Sequence, residues 1–139
     1  MFKQKGGLGL FTAIIVPVSI MSLILITNSI SIFVTKHELK NRAELAALAG
    51  AAQLGIKNSN NVIRSTKKFL KSTTNKLDNI KVSLGIWSDN KFTQKSNQAN
   101  AVRVIASKNL SLADQTIYVV NATSIAVKKP LIIGSYIVH

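Results

Sequence analysis

The chain has 139 residues, no cysteine and a formal net charge of +13. That length allows one modest domain. The lack of cysteine excludes a disulfide-stapled fold, a thiolate nucleophile and a thiolate metal site. All five acidic residues and all but two of the 18 basic residues follow the first apolar segment. Such an excess of positive charge favours polyanionic partners, although lysines that merely keep a small domain soluble explain it equally well.

The first element in the chain is an apolar segment at 8–34 that contains no charged residue. As a helix it would reach about 40 Å, whereas the hydrocarbon core of a bilayer is about 30 Å thick. We therefore predict a transmembrane helix at 7–34. The residues after it make a poor signal-peptidase site, so we expect an uncleaved anchor. The short tail at 1–6 favours a cytoplasmic N-terminus, although basic residues flank both ends of the helix almost equally.

An alanine-rich helix is predicted next, at 35–56, because good helix formers dominate there and Gly55 provides a stop. Small residues recur on one face of this helix at helical spacing, and we expect that face to pack against a helix of a partner protein. The amide of Asn28 is costly in lipid, so Asn28 either pairs with another helix as part of this interface or lies in the membrane interface, which its depth slightly favours. The candidate interface residues are Asn28, Leu39, Ala43, Ala47 and Gly50.

The rest of the chain, 57–139, is predicted to form a basic α+β domain outside the cytoplasm. A helix at 61–74 carries a buried side and an opposite basic side, which we interpret as a solvated face rather than a polyanion site. The buried side is predicted to contain Val62, Ile63, Phe69 and Leu70. Strands are expected at 80–87 and 101–106. Residues 116–120 and 124–127 give one long strand or two short ones, with a bulge or turn at Asn121, and a last apolar stretch follows at 131–138. The fold class is therefore a helix packed on a small antiparallel sheet.

The chain is poor in groups that catalyse reactions. Its two histidines are His37, beside the predicted membrane, and His139, the last residue. The five acids are scattered, and we find no phosphate-binding loop or nucleophile motif. We expect a protein that is not an enzyme, with no catalytic, cofactor-binding or metal-binding residues and no small-molecule substrate. One aromatic contact is predicted, with the Arg103 guanidinium over the Trp87 ring.

Two motifs resemble a known family. Residues 39–51, LKNRAELAALAGA, resemble the alanine-rich segment of TadG-like proteins of the Tad (tight adherence) system, which builds Flp pili. As in that family, the segment follows a membrane helix that contains a proline, here Pro17. A second pattern, G-x-W…F…NAVRV, resembles the domain that follows in many TadG-like proteins. Its positions here are Gly85, Trp87, Phe92, Asn100 and Arg103.

The resemblance covers about residues 7–127 and implies a non-enzymatic inner-membrane component of Tad/Flp pilus assembly or anchoring. Its implied partners are other Tad/Flp assembly proteins or the pilin. The charge supports an alternative, a membrane-anchored module that binds DNA or acidic polysaccharide. Family members often have Asp and Gly where this chain has Asn28 and Ile30. The fifth residue after Gly6 or Gly7 is not the glutamate of pilin-type substrates, so we do not expect a pilus subunit.

Overall fold

The computed structural model describes residues 2–74, 76–128, 131–133 and 136–138, with side chains at 7–74 and 76–128. Two helices precede the strands, as predicted for an α+β chain with one N-terminal apolar helix. The helices are α1 (Phe2–Ala52) and α2 (Ser59–Thr73). The strands are β1 (Asn79–Ser88), β2 (Lys91–Gln94), β3 (Ala101–Ser111), β4 (Ile117–Val127), β5 (Leu131–Ile133) and β6 (Tyr136–Val138).

Helix α1 is continuous over 51 residues and passes through Pro17 without interruption. Among the described residues it is the one helix long and apolar enough to cross a membrane, and its most apolar window is fully exposed. We call residues 8–27, the uncharged run before Asn28, the apolar half of α1. Each hydroxyl group in this half donates to the backbone carbonyl four residues earlier, which satisfies it without water. They belong to Thr12, Ser19, Ser22 and Thr27.

The four longer strands form one antiparallel sheet in the order β2-β1-β3-β4, while β5 and β6 pair separately. The C-terminal half of α1 packs on β3 and β4, and α2 packs on β1 and on α1. The core between them is made of aliphatic side chains, because alternate residues of each strand point to the same face. Its largest fully buried apolar members are Leu39, Val62, Leu70, Val102, Val104 and Val120.

The strands differ from the predicted ones in three ways. The loop expected between β1 and β3 contains β2, a polar strand at the sheet edge, where no buried face imposes alternation. Strand β3 runs on to Ser111, whereas the predicted strand ends at residue 106. Strand β4 is unbroken, as in the one-strand alternative, but Asn121 pairs with Ser107 instead of forming a bulge or turn. The β3–β4 hairpin is therefore longer than predicted, because backbone pairing continues after the hydrophobic pattern ends.

The buried side of α2 also needs correction. Val62 and Leu70 are fully buried as predicted, and Ile63 is partly buried, but Phe69 is 37% exposed. Thr66 takes the central buried position. Its hydroxyl donates to the Val62 carbonyl at 2.7 Å, so the helix itself satisfies this polar group.

Candidate functional site

The small-residue face of α1 is buried inside this chain. Leu39, Ala43 and Ala47 are 0–1% exposed and belong to the single core cluster with α2 and the sheet. The prediction that this face docks on a helix of another protein is therefore corrected. Its close packing is intramolecular, because α2, β3 and β4 of the same chain already occupy it.

At Gly50, helix α1 comes close to α2 and to β3. A Cβ placed on Gly50 would lie 2.6 Å from Thr66 Oγ1 and 3.3 Å from Val102 Cγ1. Because real Cβ contacts are longer than this, any side chain here would push the helix away from its neighbours. The small residues of the Ala-rich segment thus let two helices and a sheet meet closely.

Arg42 joins the two helices and was missed by the sequence analysis. Its Nε donates to Glu38 Oε1 at 3.1 Å, and its Nη1 donates to the carbonyl of Thr73, the last residue of α2. Carbonyls at a helix C-terminus lack intrahelical donors, and a cation there satisfies them. The sequence offers only one hint of this role, an arginine next to the small-residue face. An arginine at such a position is just as typical of a solvent-exposed side chain.

Asn28 lies within the predicted membrane segment but contacts the sheet. It is 9% exposed, and its Oδ1 accepts a hydrogen bond from the backbone N–H of Ala113 at 3.0 Å. Ala113 belongs to the turn that joins β3 to β4. The hairpin therefore reaches along α1 past the alanine-rich segment to the end of the apolar half.

The predicted contact of Arg103 with Trp87 is wrong. The Arg103 guanidinium lies over the Phe92 ring, 4.6 Å from its centroid. Strand register explains the difference, since Arg103 is opposite Ser83 and the β1–β3 pairing ends at Gly85. Trp87 lies beyond that end and pairs with Phe92 on β2.

Gly85 makes room for the Phe92 ring. A Cβ on Gly85 would lie 2.5 Å from Phe92 Cζ and would also strike the carbonyl of Thr93. The ring therefore crosses over the bare backbone of β1 toward Arg103, where it meets the cation. This accounts physically for a glycine two residues before Trp87.

Asn100 completes the same cluster. Its Oδ1 accepts from the Trp87 N–H at 2.7 Å, and its Nδ2 donates to the Trp87 carbonyl at 3.4 Å. The side-chain amide of Asn100 thus bonds both backbone groups of Trp87, as a neighbouring strand would, at the point where the β1–β3 pairing has ended. The five positions of the G-x-W…F…NAVRV pattern lie together at one end of the sheet, and each has a packing or hydrogen-bonding role there.

The basic side of α2 remains open. Arg64, Lys68 and Lys71 are exposed. An open groove runs along this side, lined by Asn60, Ile63, Arg64, Lys67, Lys68 and Lys71. Both ion pairs found among the described side chains lie on α1, Lys40 with Glu44 and Arg42 with Glu38. This face of α2 therefore presents positive charge to its surroundings.

Titratable groups form no metal-binding cluster of three or more within the described part of the chain. Asp114, in the β3–β4 turn, has its pKa lowered by hydrogen bonds from the side chain and backbone of Thr116. This carboxylate therefore stays ionised at neutral pH, at the tip of the hairpin.

Comparison with known families supports the first motif of the resemblance. Residues 6–53 match the family model described as "Putative Flp pilus-assembly TadE/G-like". The match coincides with nearly all of α1 and leaves α2 and the sheet outside. No curated protein and no solved structure matches the chain.

Proposed function

We propose that this chain is a non-enzymatic component of Tad/Flp pilus assembly or anchoring, held in the bacterial inner membrane by the N-terminal half of α1. The observation that carries the proposal is the family match at 6–53, which coincides with one continuous helix. In this arrangement α2 and the sheet lie outside the cytoplasm.

The side of α1 that faces away from the sheet is the surface we assign to a partner. Leu45 and Leu48 lie on it, 57% and 59% exposed, well beyond the membrane segment. Large apolar side chains at helical spacing suit a hydrophobic groove on a partner protein. The partner would be another assembly protein or the pilin, docked on the side of α1 that its own domain leaves uncovered.

Photo-crosslinking in living cells tests this proposal. A photoreactive amino acid at Leu48 is compared with one at Asn97, an exposed residue in the loop after β2. After irradiation, the protein is extracted in detergent and its adducts are identified by mass spectrometry. We expect a Tad component or the pilin at Leu48 and not at Asn97. Adducts without any pilus component would contradict the proposal.

A second candidate function, polyanion binding, is favoured by the basic groove of α2. If DNA or acidic polysaccharide binds there, affinity should fall steeply with salt because counterions are released. Replacing Arg64 and Lys68 with glutamine should reduce both the affinity and the salt slope. Lys40→Gln, on the exposed part of α1, is the matched control. Equal binding by both variants would exclude the groove.

A further inference from the structure

The tip of the β3–β4 hairpin and the end of the apolar half of α1 lie at the same level, joined by the Asn28–Ala113 hydrogen bond. We propose that this tip lies in the lipid headgroup layer of the bilayer that α1 spans. Lipid then covers the apolar side chains exposed around it. The inference rests on the membrane anchor of the proposed function and adds a second membrane contact to it.

The length of α1 sets the depth of the hairpin. Residues 8–27, the uncharged run before Asn28, span about 30 Å as a helix, which equals the thickness of the hydrocarbon core, about 30 Å. With the boundary at Val34 instead, the hairpin turn would lie about 9 Å inside the hydrocarbon. The boundary at Asn28 places the turn just outside.

The composition of the turn excludes a deeper position. Asp114 is exposed and ionised, and its Oδ1 accepts from the Thr116 N–H at 3.2 Å. A charged side chain and a turn backbone are both costly in hydrocarbon, where water cannot satisfy them. Headgroups and their bound water tolerate both.

Apolar side chains surround the molecule just beyond this boundary. Each is about half exposed or more, from 47% to 69%: Ile30, Phe33 and Val34 on α1, and Ile117, Tyr118 and Val119 on the hairpin. Asn28 marks the side of α1 that faces the hairpin. Because each residue turns the helix by about 100°, Ile30 and Phe33 lie on other sides of α1. A protein partner would cover one side, whereas a bilayer covers all of them.

Polar groups suited to headgroups lie next to these apolar residues. Lys36 and Tyr118 line one small pocket, with Asn121. Tyrosine is enriched at the membrane interface, and a lysine side chain can extend along apolar surface to reach a phosphate. Lys36 lies about 12 Å along the helix from Asn28, so its ammonium can reach the phosphates from the aqueous side.

The lack of cysteine makes single-label fluorescence a direct test. An environment-sensitive probe is attached to Ile117→Cys or to Thr123→Cys in liposomes of phosphatidylethanolamine and phosphatidylglycerol. Both positions are exposed on the same face of β4, about 20 Å apart along the strand. Met21→Cys, in the apolar half of α1, is the reference for the hydrocarbon. Circular dichroism confirms that each labelled protein is folded.

We expect the Ile117 probe to emit at shorter wavelength than the Thr123 probe and to be quenched several-fold less by aqueous iodide. Equal quenching at these two positions, with the Met21 probe protected, would overturn the hairpin proposal and leave the anchor intact. Iodide quenching of the Met21 probe as well would overturn the anchor together with the hairpin proposal.

Discussion

The side-chain oxygen of Asn28 and the backbone N–H of Ala113 form a 3.0 Å hydrogen bond between residues that are 85 positions apart in the chain. It ties the far end of the sheet to the helix at the end of its apolar half. The aspartate that TadG-like proteins often have at this position could accept the same bond. The difference between Asn28 and that family pattern is therefore compatible with the same contact.

Asn28→Ala should loosen the hairpin tip, because the Ala113 N–H loses its acceptor, at a cost of about 1 kcal/mol. Hydrogen exchange of residues 110–118, measured in detergent by mass spectrometry, should accelerate. Asn28→Asp retains an acceptor and should keep the protection. Unchanged exchange in the alanine variant would show that the bond does not hold the hairpin.

Gly50→Ala should destabilise the domain by about 1–3 kcal/mol, because the new methyl group overlaps Thr66 Oγ1 and crowds Val102. Thermal unfolding followed by circular dichroism measures the loss. Adding Thr66→Ala should restore part of the stability by removing the nearest atom. Gly9→Ala is the control, since nothing lies within 4 Å of that position. Equal stability of the two glycine variants would contradict the close approach of α1 and α2.

Arg42→Gln should lower the free energy of unfolding by about 1 kcal/mol, because the C-terminal carbonyl of α2 loses its charged donor. Lys40→Gln removes a neighbouring cation of the same helix, whose pairing with Glu44 is long, 3.9 Å, and exposed. It should change stability by less than about 0.5 kcal/mol. Chemical denaturation of both variants distinguishes helix capping from a general charge effect. A loss of similar size in both would argue against capping.

Arg103 and Phe92 should be energetically coupled by about 1 kcal/mol, as expected for a partly buried cation over a ring. A double-mutant cycle with Arg103→Met and Phe92→Leu measures this coupling. The parallel cycle with Trp87→Leu should give a coupling near zero, because Trp87 lies beyond the β1–β3 pairing. A larger coupling with Trp87 would restore the sequence-based prediction.

The sequence predicted the elements whose signals are local and repeated. The uncharged run indicated a spanning helix, helical spacing indicated α2 within two residues of its observed start, and alternation indicated β1. The edge strand β2 and the outer part of β3 escaped prediction because neither contains a fully buried residue that would mark a core-facing side. Their pairing with neighbouring strands leaves no local pattern in the sequence of either segment.

By itself, the sequence determined the long apolar helix, the α+β class and the small-residue face of α1, because each depends on spacing along one segment. Only the tertiary structure decided what that face contacts. It assigned Ala43 and Gly50 to the chain's own core, Arg103 to Phe92, and Asn28 to a hairpin turn. These outcomes depend on strand register and on how the helices cross the sheet, and both are set by packing among segments far apart in the chain.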